Sequence, residues 1–334
     1  MRIVYIRNGR RGQYSLYTHG SALSEYMKKA GGLRWGVEQR LEFIEFRLFW
    51  EGSINRGDII ETFGVSVPQA SKDLSLYQER APGNMEYDTR GKRYVAQSDF
   101  TLRYLEPDPY VYLSRLRSVT EDSGLVDESW IGIMPAADIA VTPRRDIDFS
   151  VLRAVLQSAR ERKSIDIEYQ SMSPDRPDPL WRRITPHAFG YDGFRWHVRA
   201  YCHLQGQFKD FLLPRILSVG KMAAPGALGK DDSLWHEYFD IQIIAHPGLT
   251  ESQKLVVGKD YGFVGGNGVI TVRIAMLFYA LKRLGLLGYP EKEDPRRQHI
   301  VAANPDELHN ALVKASAPPS ELGTVAPAVG VVAQ

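Results

Sequence analysis

Cysteine is almost missing from this chain of 334 residues: Cys202 stands alone, so neither an internal disulfide nor a cysteine-rich zinc site can form. Long apolar runs are missing too. Stretches such as Ile274 to Leu281 are closed off by Arg273 and Lys282 and fall well short of the roughly 18 residues a membrane span needs. The N-terminus lacks the apolar region and small-residue cleavage site of a secretory signal. These absences point to the cytoplasm and away from membrane partners. Catalytic signatures are equally scarce, with no HExxH, glycine-rich phosphate loop, nucleophile elbow or clustered carboxylates. An enzyme reading would rest on His187, His197 and His203 alone, so the expectation is no enzyme, no metal and no cofactor. Charge of one sign is not in excess either, since 42 Lys and Arg face 40 Asp and Glu. A near-neutral sum says little about partners, because nucleic-acid binding depends on local patches.

What is present is the composition of an ordinary globular protein, 43% apolar and 25% charged, at a length that calls for two or three domains. Residues 1–32 carry Arg2, Arg7, Arg10, Arg11, Lys28 and Lys29 without a clear period, and read as a basic, disordered extension, either a flexible arm that touches phosphates or a segment ahead of a start near Met27, with no function assigned. From Trp35 the spacing Val37, Leu41, Ile44, Leu48 marks one helix face. Phe43, Phe46, Phe49 and Trp50 form a second stripe before Gly52 ends the helix. A short helix spans about 55–63. Gly64 turns the chain, and Ser66 with Gln69 gives a capping-box spacing at the head of a third helix. Two short strand-like runs, Met85 to Tyr87 and Arg93 to Val95, flank a turn at residues 89–92.

Helix, short helix, turn, capped helix and two-stranded ribbon make the layout of a winged helix-turn-helix over residues 33–103. Short polar groups on the first turn of a recognition helix can reach base edges, and Ser66, Gln69, Ser71 and Lys72 stand there. Gln69 suits adenine, and Lys72 suits a guanine or a phosphate. Arg90, Lys92 and Arg93 at the ribbon suit phosphates.

A proline-punctuated connector follows over 104–147, broken by Pro107, Pro109, Pro135 and Pro143. An amphipathic helix with Leu152, Val155, Leu156 and Ala159 inward then leads into strand-like runs at 164–169, 184–191, 194–202 and 208–213. Their succession reads as a small barrel or strongly bent sheet over 148–222. On one strand His197, Arg199, Tyr201 and His203 share a face. A cationic and aromatic face of that kind suits an anionic ligand or stacked bases, and equally a solvated sheet surface. Asp192 and Asp210 read as turn residues. A third region, 233–315, alternates Ile241, Ile243 and Ala245, then gives a helix near 252–257, a strand near 269–274 and a helix near 276–287. The tail from 316 is rich in Ala, Pro and Val and reads as disordered.

Four motifs of the middle region occur in a fixed order: Tyr169-Gln170-Ser171, Arg182-Arg183-Ile184-Thr185-Pro186-His187, Trp196-His197-Val198, and Arg215-Ile216. In this order they resemble the WYL domain, with His197 and Val198 where that family's motif has Tyr and Leu. With a winged helix-turn-helix before it and a further segment after it, the chain resembles the WYL regulators of BREX and CBASS phage-defence islands over about residues 35–315. The resemblance implies an α+β, multi-domain protein. Its parts would be a winged helix-turn-helix, an Sm-like, SH3-type β-barrel that senses an effector, and a small α/β C-terminal dimerisation domain. It further implies a homodimeric repressor on a pseudo-palindromic, double-stranded operator, answering to single-stranded nucleic acid or a nucleotide. Matched motif by motif, the effector residues would be Tyr169, Ser171, Arg182, His187, His197, Arg199 and Arg215. Met276, Tyr279, Ala280, Leu284 and Leu287 would supply the subunit interface, the other reading being that they complete the core of the monomer. An RNA-binding or protein-docking module is the other class the sequence leaves open.

Overall fold

The computed structural model describes residues 4–8, 13–17, 35–121, 130–140, 142–143 and 145–315, in two compact units, 1–141 and 142–334. The tail from 316 and most of the basic extension lie outside the described residues. Within the extension, β1 (Val4–Asn8) and β2 (Gln13–Tyr17) pair antiparallel, Val4 opposite Tyr17. The segment is therefore not without structure, as its lack of period suggested. A two-stranded ribbon needs little periodicity to pair.

In the first unit α1 (Trp35–Glu51) carries both expected stripes. Leu41, Ile44 and Leu48 are buried with Ile54, Ile59, Leu74 and Tyr77. The second stripe is satisfied by a helix the sequence hid, α4 (Pro109–Thr120). Its Tyr112 stacks on Trp50 at 4.8 Å between ring centroids and on Phe46 at 6.0 Å. Pro109, read as a breaker, is a starter: it occupies the first turn behind the N-cap Asp108, where an amide would be unpaired anyway.

Between these helices lie β3 (Ser53–Ile54), α2 (Arg56–Phe63) and α3 (Val67–Arg80), followed by β4 (Met85–Asp88) and β5 (Arg93–Ala96). The three strands form one sheet in the order β3-β5-β4. Gly64 closes α2 in the left-handed region at φ 61°, a conformation that costs a side chain roughly 1–2 kcal/mol. Glu45 ties the unit together. It is fully buried and accepts from the Tyr77 hydroxyl at 2.9 Å and from the backbone amides of Arg103, Tyr104 and Leu105. Burial, foremost, pushes the Tyr77 phenol far above its usual range.

The second unit opens with α5 (Phe149–Glu161), capped by Asp148. Its buried stripe is Val151, Val155 and Ser158, one position from the expected one, and Leu156 faces solvent. The helix packs on a five-stranded antiparallel sheet in the order β10-β6-β7-β8-β9. Its strands are β6 (Ser164–Tyr169), β7 (Leu180–Tyr191), β8 (Trp196–Cys202), β9 (Gln207–Leu212) and β10 (Ile216–Ala223). Register shifts bend β7 against β8 at Pro186/Ala188 and β10 against β6, as bulges do. The bent-sheet alternative holds: β9 and β10 are the sheet's edges, and no closed barrel forms among the described strands.

The last region centres on β11 (Tyr238–Ala245), between β12 (Gly268–Arg273) and β13 (Ile300–Ala302). Its core joins Ile241 and Ile243 to Leu277, Phe278 and Leu281 of α8 (Leu277–Leu284) and to Leu308 and Leu312 of α9 (Pro305–Ala315). The short α6 (Ser233–His236) precedes β11, and α7 (Glu251–Asp260) follows it, starting at the Thr250 capping box.

Candidate nucleic-acid interface and effector site

The seven residues expected to meet DNA separate into those that build the surface and those that are free on it. Ser66 is the N-cap of α3, its hydroxyl accepting from the Gln69 amide at 3.4 Å. The reciprocal half of the expected capping box is absent. The Gln69 side chain instead donates to Asp73 at 2.9 Å, and Asp73 is gripped by Arg40 of α1 at 2.6 Å. Ser71 accepts from Arg56 at 3.1 Å. These links fix α3 against α1 and α2. Lys72, Arg90, Lys92 and Arg93 are exposed cations whose side chains have no ionic partner among the described residues. At the wing the Asp88 carboxylate accepts the Arg90 amide, and Lys92 takes a left-handed turn at φ 51°.

The seven expected effector residues do not converge on one place. Tyr169 and Arg182 meet on the inner face of the sheet, the guanidinium 5.2 Å from the ring centroid. Arg182 is 7% exposed, and its Nε and Nη2 have no hydrogen-bond partner. Burial lowers its pKa. Lys209, which the sequence did not single out, is half-buried nearby. Its pKa is lowered first by burial, and further by Arg176 and Arg182. Ser171 and Arg215 lie at the same end of the sheet as Tyr169, joined by the Gln170 amide donating to the Arg215 carbonyl. A buried cation left unpaired is costly, so this group is suited to receive an anion.

His197 and Arg199 belong to a different arrangement. They sit on the outer face, covered by later parts of the chain. His197 Nε2 lies 2.9 Å from Asp192, and its ring lies 4.5 Å from that of Tyr279. Arg199 makes two bonds to Asp232 and one to Asp210, which also accepts the Tyr279 hydroxyl. Both residues are buried and engaged, which departs from the expected ligand role. His187 Nε2 lies 3.0 Å from Asp232 as well. Burial works to raise the Asp232 and Asp192 carboxyls. The bonds from His187 and Arg199 hold the first at about 2, and those from His197, Arg195 and two backbone amides hold the second at about 2. Asp192 does cap its turn, but Asp210 lies on β9 and serves this network rather than a turn.

The expected interface residues also turn inward. Tyr279 packs on His197, and the Met276 sulfur fills the space beside Gly190, where a Cβ would stand 2.6 Å away. Ala280, Leu284 and Leu287 pack on the domain's own core. Among the described residues no group of three or more metal-ligating side chains gathers, and no helix is long and apolar enough to cross a membrane.

Comparison with known proteins places a family description on each region. The BrxR transcriptional regulator winged helix-turn-helix domain matches residues 36–118, the WYL domain 150–220, and the BrxR C-terminal dimerization domain 238–308. The DNA-binding transcriptional repressor CapW of Stenotrophomonas maltophilia is 38% identical over 278 residues, 83% of this chain and 92% of that protein. The chain belongs to the CapW family. CapW of Escherichia coli strain KTE188 is 37% identical over 85% of this chain and 94% of its own length. That of Pseudomonas aeruginosa is 34% identical over 84% and 93%. Family members carry the name of transcriptional repressors, a regulatory and not an enzymatic role. Among solved structures, proteasome accessory factor B/C of Arthrobacter aurescens aligns at 17% identity with a TM-score of 0.26. That alignment covers 84% of this chain and about half, 46%, of that one.

Proposed function

We propose that this CapW-family protein is a homodimeric repressor of a phage-defence operon. It binds a pseudo-palindromic duplex operator and releases it when a nucleic-acid or nucleotide effector occupies the WYL sheet. The observation that carries the reading is the set of four exposed, unpartnered cations on the recognition helix and wing, Lys72, Arg90, Lys92 and Arg93. A helix pinned by Gln69–Asp73–Arg40 is a rigid reader, and free cations at its flank can neutralise phosphates without first breaking an internal bond. Lys72 is the base or phosphate contact on the helix. Ser66, Gln69 and Ser71 serve by holding its first turn, and Gln69 reaches a base edge only by leaving Asp73.

The effector site is the group around Arg182, with Tyr169, Ser171, Lys209 and Arg215. His197 and Arg199 connect that sheet to the C-terminal domain, so an effector that moves β7 or β8 strains their bonds to Asp192, Asp210 and Asp232. The match to a dimerization domain supports two-fold assembly. Exposed Leu255 and Val256 on α7, and Val264 after it, offer the apolar surface for it.

The test is fluorescence anisotropy with labelled duplex from upstream of the protein's own gene, across a salt series, with single-stranded oligonucleotides as competitors. Sequence-preferring, salt-sensitive binding that weakens in Lys72→Ala and is displaced by single strands supports the reading. Equal, weak binding to every duplex, with preference for RNA, overturns it.

A further inference from the structure

A second cationic enclosure lies away from the Arg182 group, between the end of α5, the bulged middle of β7 and the segment 228–236. It has a volume of ≈ 450 Å³, within the range that takes a small molecule. Arg162, His187, Lys230 and His236 are in its wall, with the Trp235 indole and the Thr185 side. No carboxylate is. Asp231 stands next in sequence, but its carboxylate accepts the Leu228 amide. Asp232 lies behind the wall, occupied by His187 and Arg199.

Arg162 is the telling member. It ends α5 in the left-handed region at φ 54°, its amide donating to the carbonyls of Ala159 and Ser158, while the Lys163 amide also reaches Ser158. This is the helix-ending position that glycine fills without strain, and a side chain there is disfavoured. Neither Arg162 nor Lys230 has an ionic partner among the described residues. Arg162 and Lys230 are both exposed at the cavity's rim, while His187 bonds Asp232 and His236 bonds the Gly229 carbonyl, so these two cations face a cavity with no acid in its wall.

Space next to the wall is tight. A Cβ at Gly229 would meet the His187 ring at 2.7 Å, so the backbone of 228–230 lies against the imidazole and carries Lys230 to the cavity's rim. Trp235 sets its ring edge-on to His187 at 5.9 Å and receives Arg273 over one face at 4.9 Å. An aromatic wall beside clustered cations matches a ligand with a flat ring and a phosphate.

We infer that this cavity binds a phosphate-bearing small molecule of mononucleotide size, the phosphate on Arg162 and Lys230 and the ring against Trp235. It is a site separate from the effector group around Arg182. Bound there, the ligand touches His187, one bond from Asp232 and two from Arg199. Its occupancy therefore bears on the joint between the WYL sheet and the C-terminal domain.

The experiment titrates the full chain with adenosine 5′-monophosphate, inorganic phosphate and a short single-stranded oligonucleotide, read by calorimetry and by tryptophan fluorescence. Adenosine monophosphate should bind saturably and more tightly than phosphate. Arg162→Gly and Lys230→Ala should each weaken it about tenfold or more, the loss expected for one charge-assisted bond. Arg162→Gly removes the strain with the charge, so its melting temperature should stay the same or rise, which separates lost binding from lost folding. Arg182→Met should leave this binding intact. Absence of saturable mononucleotide binding at millimolar concentration, or binding that Arg162→Gly leaves unchanged, overturns the inference. So does binding abolished by Arg182→Met, or binding of the oligonucleotide alone.

Discussion

Asp232 receives the Arg199 guanidinium through both of its carboxylate oxygens, at 2.7 and 3.1 Å, and neither residue is more than 5% exposed. The pair joins β8 of the WYL sheet to the segment that leads into the C-terminal domain. The same carboxylate caps the short helix of Ser233–His236 and meets His187. Asp232→Ala would leave a buried guanidinium with only Asp210 at 3.3 Å. Removing one partner of a buried pair costs about 3–5 kcal/mol. Urea unfolding followed by tryptophan fluorescence should show a loss of that order. A loss below about 1 kcal/mol would mean that water reaches Arg199 and that the pair does not hold the joint.

The same geometry sets a pH dependence. Asp192 and Asp232 are held at about 2, below the ordinary carboxylate value of 3.8. A carboxyl depressed in the folded state stabilises the fold fully above the unfolded value and loses that contribution as pH falls through the folded one. The urea midpoint should therefore decline between about pH 4 and pH 2, and Asp192→Asn should make that decline shallower. An unchanged slope in the variant would assign the acid sensitivity elsewhere.

How much of this was legible beforehand depended on the range of the interaction. Helices α1 to α3 and the wing follow from local spacing, Gly64 and Ser66, so the DNA-binding unit could be read from residues a few positions apart. Pro109 misled because a proline at a helix start and one that breaks a helix look alike until Tyr112 is seen stacked on Trp50. In the WYL region, alternation put His197 and Arg199 on one face correctly. It could not say that Asp232 and Tyr279, 33 residues or more away in sequence from Arg199, cover that face. The proposed effector group suffered likewise. Arg182 carried a motif signal, whereas Lys209 on a neighbouring strand had none. Arg182 and His187, five residues apart on β7, point to opposite faces of the sheet by alternation alone, so motif order grouped residues that the strand separates.

The wing tip offers a test in which stability and affinity move oppositely. Lys92 holds φ 51° and is exposed, so Lys92→Gly relieves a backbone cost of roughly 1 kcal/mol. It also removes one candidate phosphate contact, which should reduce the slope of log affinity against log salt by about 0.9. Thermal melts and the anisotropy salt series read the two effects separately. A variant that is more stable but keeps its full salt slope would remove Lys92 from the DNA surface.

Arg182 sets the corresponding opposition in the proposed sensor. Its buried guanidinium rests on the Tyr169 ring with Nε and Nη2 unpartnered, an arrangement that weakens the free protein and favours an anion. Arg182→Met keeps the volume and the contact with Tyr169 while removing the charge. Replacing buried charge with a packed apolar side chain is often neutral or stabilising by about 1–4 kcal/mol, so the urea midpoint should hold or rise. Duplex binding should persist, since Arg182 lies outside the winged-helix unit, but single strands should no longer displace the operator. If the variant unfolds more easily, Arg182 is a structural residue and the sensor lies elsewhere on the sheet. If it is stable and still responds, the anion is received by Lys209 and Arg215 without it.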